Sequence, residues 1–409
     1  MSHGVVVIGA GQAGGRAIEA LRGNGYEGPI TLIGTEPHLP YERPPLSKDM
    51  LTGQAPERID WVRPAEWYDT QNVRLMLGAT ATRIDRARHC VTLHNGPEIA
   101  YDTLILATGA TPRALPLPGG DHPLCFTIRT LEDSRELRRH MQPGARIVVI
   151  GAGFIGLEAA AAARKLGCEV VVLESASRVM ARGVPVRISE LYARLHRDNG
   201  VDLRLVAEIT GITGSPDAPV VHLAGGETLQ AHAVVVGIGV VPEDRLAAAC
   251  GLAVENGIVV DEHGRTEDPA IYAAGDVTRH FNPLLGLTLR LESWQNAQNQ
   301  AIAVARNIAG HSTVYAEVPW FWSDQYGINM QITGIPTPDA TEIVRGDLDG
   351  FNGLLLQMSG PKLACAIGLN ATRDLRFAKQ IIGLGKDLDP AKLGDPNTKL
   401  SDLLKSLKS

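Results

Sequence analysis

Two glycine-rich segments with the same spacing stand far apart in the sequence. The first is GAGQAG at residues 9–14, and the second is GAGFIG at residues 151–156. Each follows a short apolar run and precedes a run of good helix formers, which is the context of a strand–turn–helix nucleotide site. In such a turn the first glycine permits the tight bend, the second lets a pyrophosphate approach the backbone, and the third lets helix and strand pack closely. The sequence therefore predicts two dinucleotide sites. Their glycines are Gly9, Gly11 and Gly14 in the first and Gly151, Gly153 and Gly156 in the second.

An acidic residue follows each glycine-rich segment after about 20 positions. Glu36 ends the second predicted strand of the first site, and Glu174 ends the corresponding strand of the second. A carboxylate at this place can accept hydrogen bonds from the ribose hydroxyls of an adenine dinucleotide. Because a 2′-phosphate beside Glu174 would meet a like charge, we expect the second site to prefer NADH to NADPH. Arg178 and Arg182, just downstream, are alternative partners for such a phosphate.

A third segment indicates which site holds a flavin. In TEDPAIYAAGDV, residues 266–277, a short predicted strand ends at Gly275 and Asp276. Gly275 allows close approach of a ligand, and the Asp276 carboxylate can accept hydrogen bonds from polyol hydroxyls. After two dinucleotide turns, this segment resembles the second FAD signature of the glutathione-reductase-like flavoproteins. The resemblance implies FAD in the first site and a visiting nicotinamide in the second.

Strand and helix patterns alternate along most of the chain, and the remainder from about residue 316 has meander-like strand spacing. The predicted fold class is α/β, with two Rossmann-like dinucleotide-binding domains and a C-terminal α+β domain. The predicted bounds are 1–114 and 245–315 for a discontinuous FAD domain, 115–244 for the NAD domain and 316–409 for the C-terminal domain. Strands are predicted at 4–8, 29–34, 90–93, 103–107, 146–150, 168–174, 232–239 and 271–277. Helices are predicted at 12–24 and at 294–309, the latter with Ser293 as N-cap. From Lys386 onward we expect a loosely held amphipathic tail.

Composition excludes several classes of function. The chain has 409 residues, 44% of them hydrophobic and 21% charged, with a formal net charge of −6. This mild negative charge argues against a nucleic-acid partner, and no apolar run predicts a membrane-spanning helix. No leader segment is recognised, so we expect a cytoplasmic location. The cysteines form no close pair in sequence, so we expect neither a metal site nor a redox-active pair of neighbouring cysteines. They are Cys90, Cys125, Cys168, Cys250 and Cys365.

Longer segments narrow the family. They are PHLPYERPPLSKDML (37–51), FTIRTLEDS (126–134), RLESWQNAQNQA (290–301) and PWFWSDQYGINMQITG (319–334). They resemble, in order, segments of the ferredoxin reductases that serve oxygenases of aromatic-hydrocarbon and cytochrome P450 systems. The resemblance covers about residues 1–380, with mild departures at 327–329 and 370–374. It implies that FAD passes electrons from NADH to a [2Fe–2S] ferredoxin, which would be a transient, electrostatically steered partner of a monomer or homodimer.

The same resemblance implies a set of cofactor contacts. For FAD it adds Arg43, Pro44, Lys48, Ala81, Arg129, Asp276, Trp294 and Trp320 to the first glycines and Glu36. For NAD it adds Ile155, Glu158, Arg182 and Gly239 to the second glycines and Glu174. The candidates for catalysis are Lys48, Glu158 and Trp320. Lys48 would lie near the reactive edge of the isoalloxazine, and Glu158 would either pair with Lys48 or be a plain surface carboxylate.

Three other functions remain open from the residues alone. A rubredoxin reductase would differ only in its acceptor. An NADH-binding, redox-sensing interaction protein resembling apoptosis-inducing factor would show negligible turnover and a change of assembly with NADH. An oxygen-reducing NADH oxidase is disfavoured because no cysteine is suitably placed for that chemistry.

Overall fold

The computed structural model describes residues 3–53 and 58–409. In these residues the strands are β1 (Val5–Ile8), β2 (Ile30–Gly34), β3 (Val73–Leu77), β4 (Ala81–Asp85), β5 (Cys90–Leu93), β6 (Glu98–Ala100), β7 (Thr103–Leu106), β8 (Ala110–Pro112), β9 (Cys125–Phe126), β10 (Arg146–Ile150), β11 (Glu169–Glu174), β12 (Val201–Leu205), β13 (Ile209–Ser215), β14 (Ala218–Leu223), β15 (Thr228–Gln230), β16 (Ala233–Val236), β17 (Val240–Pro242), β18 (Ile258–Val260), β19 (Ile271–Ala273), β20 (Thr278–Asn282), β21 (Leu287–Leu289), β22 (Trp320–Gln325), β23 (Ile328–Gly334), β24 (Thr341–Asp347), β25 (Asn352–Ser359) and β26 (Lys362–Leu369).

The helices of the described residues connect and cover these strands. They are α1 (Gln12–Gly23), α2 (Asp49–Thr52), α3 (Ala65–Thr70), α4 (Leu131–His140), α5 (Phe154–Lys165), α6 (Val186–Asp198), α7 (Arg245–Ala249), α8 (Trp294–Ile308), α9 (Thr372–Leu384), α10 (Pro390–Gly394) and α11 (Leu400–Lys408). A short 3₁₀-helix covers Pro44–Ser47.

The chain divides into two compact units, which are described one at a time. Unit 1 consists of Met1–Arg43, Ile59–Thr111 and Val241–Trp320. Unit 2 consists of Pro44–Arg58, Pro112–Val240 and Phe321–Ser409. The bounds predicted for the three domains stay a prediction.

Unit 1 is built on a five-stranded parallel sheet in the order β19–β7–β1–β2–β3. Its central strand β1 is wholly buried, as expected for a parallel strand covered on both faces. Alanines of α1 and α8 share one buried cluster, because small side chains let the two helices approach closely. Unit 1 also contains two three-stranded sheets, β4–β5–β6 and β18–β20–β21.

Unit 2 repeats the parallel sheet in the order β12–β11–β10–β16–β9. Strands β10, β11 and β12 occupy the same places in this sheet as β1, β2 and β3 in unit 1. The edge strand next to β16 or β7 comes from a different part of the sequence in each unit. Strand β9 precedes the glycine-rich segment of unit 2, whereas β19 follows the glycine-rich segment of unit 1 by more than half the length of the chain. An antiparallel sheet, β13–β14–β15, follows β12.

The C-terminal part of unit 2 holds a five-stranded sheet in the order β22–β23–β26–β25–β24, with antiparallel pairing of β23, β26, β25 and β24. Helix α9 packs on it, and α11 packs on α9 with Leu400, Leu403 and Leu404 buried. Arg345 donates hydrogen bonds to the carbonyl oxygens of residues 393, 395 and 398 at 2.6, 2.9 and 2.7 Å. The prediction of a loosely held tail was therefore wrong, since its leucines form a buried helix face.

The predicted fold class is confirmed by these three sheets. The predicted strands and helices of the two parallel sheets are present with ends shifted by a few residues. The predicted strand 232–239 is shorter in the structure, where β16 ends at Val236, and Gly239 has a φ of +99° that an extended strand does not adopt. Among the described residues, no helix combines the length and apolar character needed to cross a membrane.

Candidate functional site

The glycine-rich turn of unit 1 joins β1 to α1. Gly9 has a φ of +114°, and a Cβ there would lie 2.1 Å from the Ala107 carbonyl oxygen. A Cβ on Gly14 would lie 1.9 Å from the Gly9 carbonyl oxygen. Around Gly11, by contrast, the nearest atoms are those of the Arg43 guanidinium, 3.8 Å from the Cβ position. The outer glycines are therefore required by packing, and the middle one leaves room for a ligand beside a positive charge.

Glu36 ends this site's second strand region within a side-chain clamp. The Tyr41 hydroxyl donates to Glu36 Oε2 at 2.6 Å, and Arg43 Nη2 donates to Oε1 at 2.6 Å. Burial by itself lowers the pKa of Arg43, but Tyr41, Glu36 and Asp276 outweigh it, so the pKa of Arg43 is raised. The guanidinium is held as a permanent cation next to the open face of the turn.

Other predicted FAD contacts lie at element ends in unit 1. Asp276 follows Gly275, whose φ is +88°, at the carboxyl end of β19. Trp294 is the first residue of α8, and the Ser293 side chain accepts a hydrogen bond from the Asn296 amide at 3.2 Å, which confirms the predicted N-cap. Ala81, at the start of β4, is buried, and Trp320 begins β22.

Pro44, Lys48 and Arg129, also predicted as FAD contacts, belong to unit 2. Pro44 starts the 3₁₀-helix that leads to Lys48. The Arg129 amide donates to Asp133 Oδ2 at 2.9 Å, next to the capping box that begins α4. The backbone at Arg129 is thus fixed by the start of a helix.

The glycine-rich turn of unit 2 repeats the geometry of the first. Gly151 has a φ of +99°, and a Cβ on Gly156 would lie 2.1 Å from the Gly151 carbonyl oxygen. Gly153 is again the open one, with its nearest atom, the Gly237 carbonyl oxygen, 3.8 Å from the Cβ position. Ile155, in the first turn of α5, is 44% exposed. The turn therefore presents open backbone and an apolar side chain.

Glu174 is held by backbone rather than by side chains of other elements. Its Oε2 accepts from the Ala152 amide at 2.6 Å, and its Oε1 accepts from the Ala176 amide at 2.8 Å. Ala152 lies inside the glycine-rich turn, so the carboxylate ties the end of β11 to that turn. The carboxylate therefore fixes the shape of the turn. It also lies where the ribose hydroxyls of a dinucleotide are expected.

The two arginines downstream of Glu174 differ in their surroundings. Arg178 donates to the carbonyl oxygens of Ala181 and Val184 at 2.6 and 2.8 Å, which commits its guanidinium to the segment before α6. Arg182 is exposed, and its Nη2 lies 3.1 Å from the Cβ position of Gly239. Of the two, Arg182 is the one placed to meet an anionic ligand.

Glu158 and Lys48 form an ion pair in unit 2. Glu158 is 3% exposed, and Lys48 Nζ donates to its Oε2 at 2.7 Å. The Ser47 hydroxyl donates to the same oxygen at 2.5 Å, and the Ser323 hydroxyl donates to Oε1 at 2.6 Å. The pairing with Lys48 is confirmed, and the alternative of a surface carboxylate was wrong.

Sequence reasoning missed the residues that surround these groups. Tyr41, Ser47 and Ser323 were not singled out, nor were Gln325 and His196, which continue the hydrogen bonding beyond Ser323. One available signal is that Ser323 and Gln325 alternate along β22 and so share a face, where both are buried. A buried pair of polar residues in a strand needs partners, and the sequence alone does not identify them.

The cysteines of the described residues are free thiols. Burial raises the pKa of Cys125 to about 11 and that of Cys365 to about 12. A protonated thiol is a weak nucleophile, so these two cysteines are poorly suited to thiol–disulfide chemistry near neutral pH. The described residues contain no group of three or more His, Cys, Asp or Glu side chains placed to hold a metal ion.

Two parallel sheets, each with a glycine-rich turn that leads into a helix and an acid at the end of the next strand, define a protein with two dinucleotide-binding halves. Residues 3–301 match the family model described as pyridine nucleotide-disulphide oxidoreductase, and residues 320–404 match the one described as reductase C-terminal. The chain belongs to the pyridine nucleotide-disulphide oxidoreductase family.

Individual relatives are similar over nearly the whole chain. The ferredoxin–NAD(+) reductase component of an anthranilate 1,2-dioxygenase system, from Burkholderia cepacia, is 42% identical over 98% of each chain. The crystal structure of the ferredoxin reductase for the CYP199A2 system from Rhodopseudomonas palustris has a TM-score of 0.94 at 38% identity, covering 98% of this chain and 100% of that one. The reductase in a covalent putidaredoxin reductase–putidaredoxin complex has a TM-score of 0.95 at 37% identity, covering 99% of each chain. These matches confirm the resemblance found in the sequence.

Proposed function

We propose that the protein is an FAD-dependent ferredoxin reductase, which passes electrons from NADH to a [2Fe–2S] ferredoxin that supplies an oxygenase. The observation that carries this proposal is the presence of two complete dinucleotide turns in a chain similar, over 98% of its length, to a ferredoxin–NAD(+) reductase component. The predicted enzyme class, an oxidoreductase with FAD and NADH as its cofactor and co-substrate, is confirmed by the family and by these relatives.

The residues of unit 1 fit FAD. A pyrophosphate carries two negative charges, and it would approach the open backbone at Gly11, where the start of α1 and the Arg43 guanidinium are both electropositive. Glu36 would accept from the ribose hydroxyls, and Asp276 from the flavin's polyol chain. Ala81, Trp294 and Trp320 are proposed as further contacts of this cofactor.

The residues of unit 2 fit NADH. Gly153 offers open backbone at the start of α5, and Glu174 shapes that turn while presenting a carboxylate to the adenosine ribose. Arg182 and Gly239 would meet the charged middle of the dinucleotide, and Ile155 would pack against it. Pro44, Lys48 and Arg129 in the same unit are proposed to contact FAD.

Bound FAD supplies the chemistry that converts the two-electron donor NADH into a source of single electrons. The residues of this chain bind the two cofactors, orient them and place charge beside them. Lys48, stiffened by the preceding prolines, is proposed to keep a positive charge at Nζ beside the flavin's reactive edge. Glu158 holds that ammonium through Oε2, and the Glu158 side chain itself is buried.

We also propose the three-domain organisation, with FAD bound by 1–114 and 245–315, NAD by 115–244 and a C-terminal domain at 316–409. The separate parallel sheets and the two family matches, to residues 3–301 and 320–404, support it. A monomer or homodimer in the cytoplasm remains the predicted state.

The function is tested with purified holoenzyme, NADH and a choice of acceptors under anaerobic conditions. We expect NADH-dependent reduction of a [2Fe–2S] ferredoxin to be much faster than reduction of rubredoxin. A higher kcat/KM with rubredoxin would favour the rubredoxin reductase. In a parallel aerobic assay, rapid NADH oxidation that requires oxygen would favour an oxidase. Negligible turnover with all acceptors, together with an NADH-dependent change of assembly, would favour the redox-sensing protein.

Electrostatic steering of the ferredoxin is the finer part of this proposal. Ferredoxins are generally acidic, so docking would use basic residues despite the net charge of −6. Such attraction is screened beyond about 8 Å at physiological ionic strength. We expect kcat/KM for ferredoxin to fall steeply as salt is raised, while reduction of the bound flavin by NADH, measured in the same buffers, changes little. A kcat/KM for ferredoxin that is flat with salt would contradict steering.

A further inference from the structure

A line of buried polar side chains leads from Glu158 into the apolar interior of unit 2. Ser323 Oγ lies 2.6 Å from Glu158 Oε1, and Gln325 Nε2 lies 3.0 Å from Ser323 Oγ. Beyond them, His196 Nε2 lies 2.8 Å from Gln325 Oε1, and the Tyr326 hydroxyl lies 3.4 Å from His196 Nδ1. Ser323, Gln325 and His196 are each at most 1% exposed. The line joins α5, β22 and α6.

The hydrogen bonds in this line have a single consistent direction. An ionised Glu158 only accepts, so the Ser323 proton must point at it, and Ser323 must then accept from the Gln325 amide group. The Gln325 carbonyl oxygen is thereby turned toward His196 and needs a donor there. His196 must carry its proton on Nε2, which leaves Nδ1 to accept from Tyr326.

Burial keeps the imidazole of His196 neutral. It lowers the pKa of the imidazole to about 4, so the ring is neutral near pH 7. Each polar group of the line would cost free energy if it lacked a partner in this interior, so the arrangement is stable only when every link points the same way. One serine would suffice to satisfy Glu158 Oε1. The glutamine and histidine add a constraint on the orientation of that serine.

We propose that Ser323, Gln325 and His196 are positioning residues for the Lys48–Glu158 pair. The neutral His196 fixes the Gln325 amide, which fixes the Ser323 hydroxyl on Glu158 Oε1. Oε2 is then left for Lys48 and Ser47, so the ammonium is held at one place toward the cofactor. This inference rests on the proposed function for its effect on NADH oxidation, but its hydrogen-bond directions do not.

A solvent-facing cleft borders both ends of the line, at Glu158 and at Tyr326. The cleft has a volume of about 680 Å³, and its lining includes Lys48, Glu158 and Tyr326 but not Ser323, Gln325 or His196. Solvent can therefore exchange around the ion pair while the positioning residues stay dry. A change at Ser323 or Gln325 would not be repaired by water entering at the same place.

The directions are tested first, by measuring the imidazole ¹⁵N shifts of His196 in the holoenzyme with histidine-labelled protein. We expect the neutral tautomer with the proton on Nε2 between pH 6 and pH 8. In Gln325→Glu, a carboxylate replaces the amide beside His196, so His196 should titrate at a higher pH than in the wild type. A proton on Nδ1 in the wild type, or an unchanged titration in the variant, would overturn the proposed line. This result does not depend on ferredoxin reduction, so it separates failure of the line from failure of the proposed function.

The positioning role is tested by stopped-flow reduction of the bound flavin with NADH. Ser323→Ala should slow the limiting rate about tenfold, with less change in the NADH concentration at half-saturation, and should shift the visible flavin spectrum. Ser323→Thr, which keeps the hydroxyl, should restore rate and spectrum. Ser189→Ala is the matched control, because this buried hydroxyl donates to the Val179 carbonyl oxygen and accepts from Arg178, and makes no hydrogen bond to the described residues of the line.

Each outcome decides the role. If Ser323→Ala lowers only the melting temperature, to the same extent as Ser189→Ala, the hydroxyl is merely structural and the positioning role is wrong. If Ser323→Thr is as slow as Ser323→Ala, the side-chain hydroxyl does not position Glu158. Slow reduction that is specific to the alanine variant, with a shifted spectrum, supports the proposal.

Discussion

The acid at the end of the second strand is held differently in the two units. In unit 1, the side chains of Tyr41 and Arg43 bind the Glu36 carboxylate. In unit 2, the backbone amides of Ala152 and Ala176 bind the Glu174 carboxylate. The glycine turns before these acids have nearly the same geometry. The two sites therefore differ in the groups that bind the acid, not in the turn itself.

This difference has a consequence for ligand affinity. Arg43 brings a cation next to the open glycine of unit 1, whereas the nearest atom to the Gly153 Cβ position in unit 2 is a carbonyl oxygen. A charge-assisted hydrogen bond to a pyrophosphate is about twice as strong as a neutral one. We therefore assign the tightly held cofactor to unit 1 and the exchanging one to unit 2.

Alanine at the third glycine of either turn should have the largest effect. A Cβ on Gly14 or Gly156 would lie about 2 Å from a backbone carbonyl oxygen, so helix and strand must separate. We expect Gly14→Ala to yield protein that has lost most of its FAD, and Gly156→Ala to keep FAD but lose measurable NADH binding. Flavin absorbance per chain and NADH titration are the measurements.

A glycine in open space gives the matched control. Nothing lies within 4 Å of the Cβ position of Gly23, near the end of α1. Gly23→Ala should keep both ligands, and its stability should rise by about 0.5 kcal/mol because the unfolded chain loses freedom. Loss of FAD in Gly156→Ala as complete as in Gly14→Ala would refute the assignment of one ligand to each turn.

Removing Arg43 should weaken FAD more than any single side chain in unit 2 weakens NADH. Arg43→Ala leaves Glu36 without its cation, and we expect the Kd for FAD to rise about a hundredfold, or about 2.7 kcal/mol. Arg43→Lys keeps the positive charge but lacks the planar, bidentate guanidinium, so it should recover part of the FAD affinity that Arg43→Ala loses. Arg182→Ala should leave FAD affinity unchanged and raise KM for NADH severalfold. Equal FAD affinity in wild type and Arg43→Ala would contradict this prediction.

Glu174 should set the choice of coenzyme. We expect kcat/KM for NADH to exceed that for NADPH about a hundredfold in the wild type. Glu174→Ala should shrink this ratio mainly by improving NADPH, and should also weaken NADH because the Ala152 amide loses its acceptor. Glu174→Gln keeps an acceptor for that amide but removes the charge, so it should shrink the ratio with less harm to NADH. Comparable kcat/KM for both coenzymes in the wild type would show that Glu174 does not discriminate.

One buried histidine in each unit should make stability depend on pH. Burial lowers the pKa of His196 in unit 2 and of His280 in unit 1 to about 4. Between about pH 6.5 and 4 the unfolded chain binds protons that the native state does not, so stability falls as pH falls. Each histidine contributes a slope of up to about 1.4 kcal/mol per pH unit.

The two histidines differ in their hydrogen-bond partners, so replacing each of them should change stability in opposite directions. Both ring nitrogens of His280 lack a hydrogen-bond partner, whereas His196 faces Gln325. His280→Phe should therefore reduce the acid slope and raise stability by about 1 kcal/mol at pH 7. His196→Phe should reduce the slope but lower stability at pH 7, because Gln325 loses its donor. Denaturant titrations from pH 4.5 to pH 7.5 measure both effects, and an unchanged slope in both variants would contradict the account.

Much of this comparison could be predicted from local sequence. Glycine spacing, apolar runs and trailing acids define both turns, because the close contacts at Gly14 and Gly156 allow no other residue without strain. Apolar runs located the central strands of both parallel sheets, since buried parallel strands are nearly all apolar, but the edge strands β3, β9 and β12 were not predicted.

Contacts between distant segments could not be predicted in the same way. The partners of Glu158 come from residues 47, 48 and 323, and only the pairing with Lys48 was anticipated, as one of two alternatives, from the place of Glu158 just after Gly156. The polar composition after Lys386 gave no indication of α11, a helix that packs on α9 and buries Leu400, Leu403 and Leu404. In both cases the contacts of a short segment are made with an element far away in sequence. Secondary-structure propensity contains no information about such contacts.

The central claim is that unit 1 retains FAD while unit 2 exchanges its nucleotide. The most direct test is to gel-filter the purified protein, denature it and chromatograph the nucleotides released from a known amount of chain. The account predicts FAD in an amount equal to that of the chain, with NAD(H) absent until it is added. Recovery of FMN, or of retained NAD(H) from protein that has lost its flavin, would contradict it.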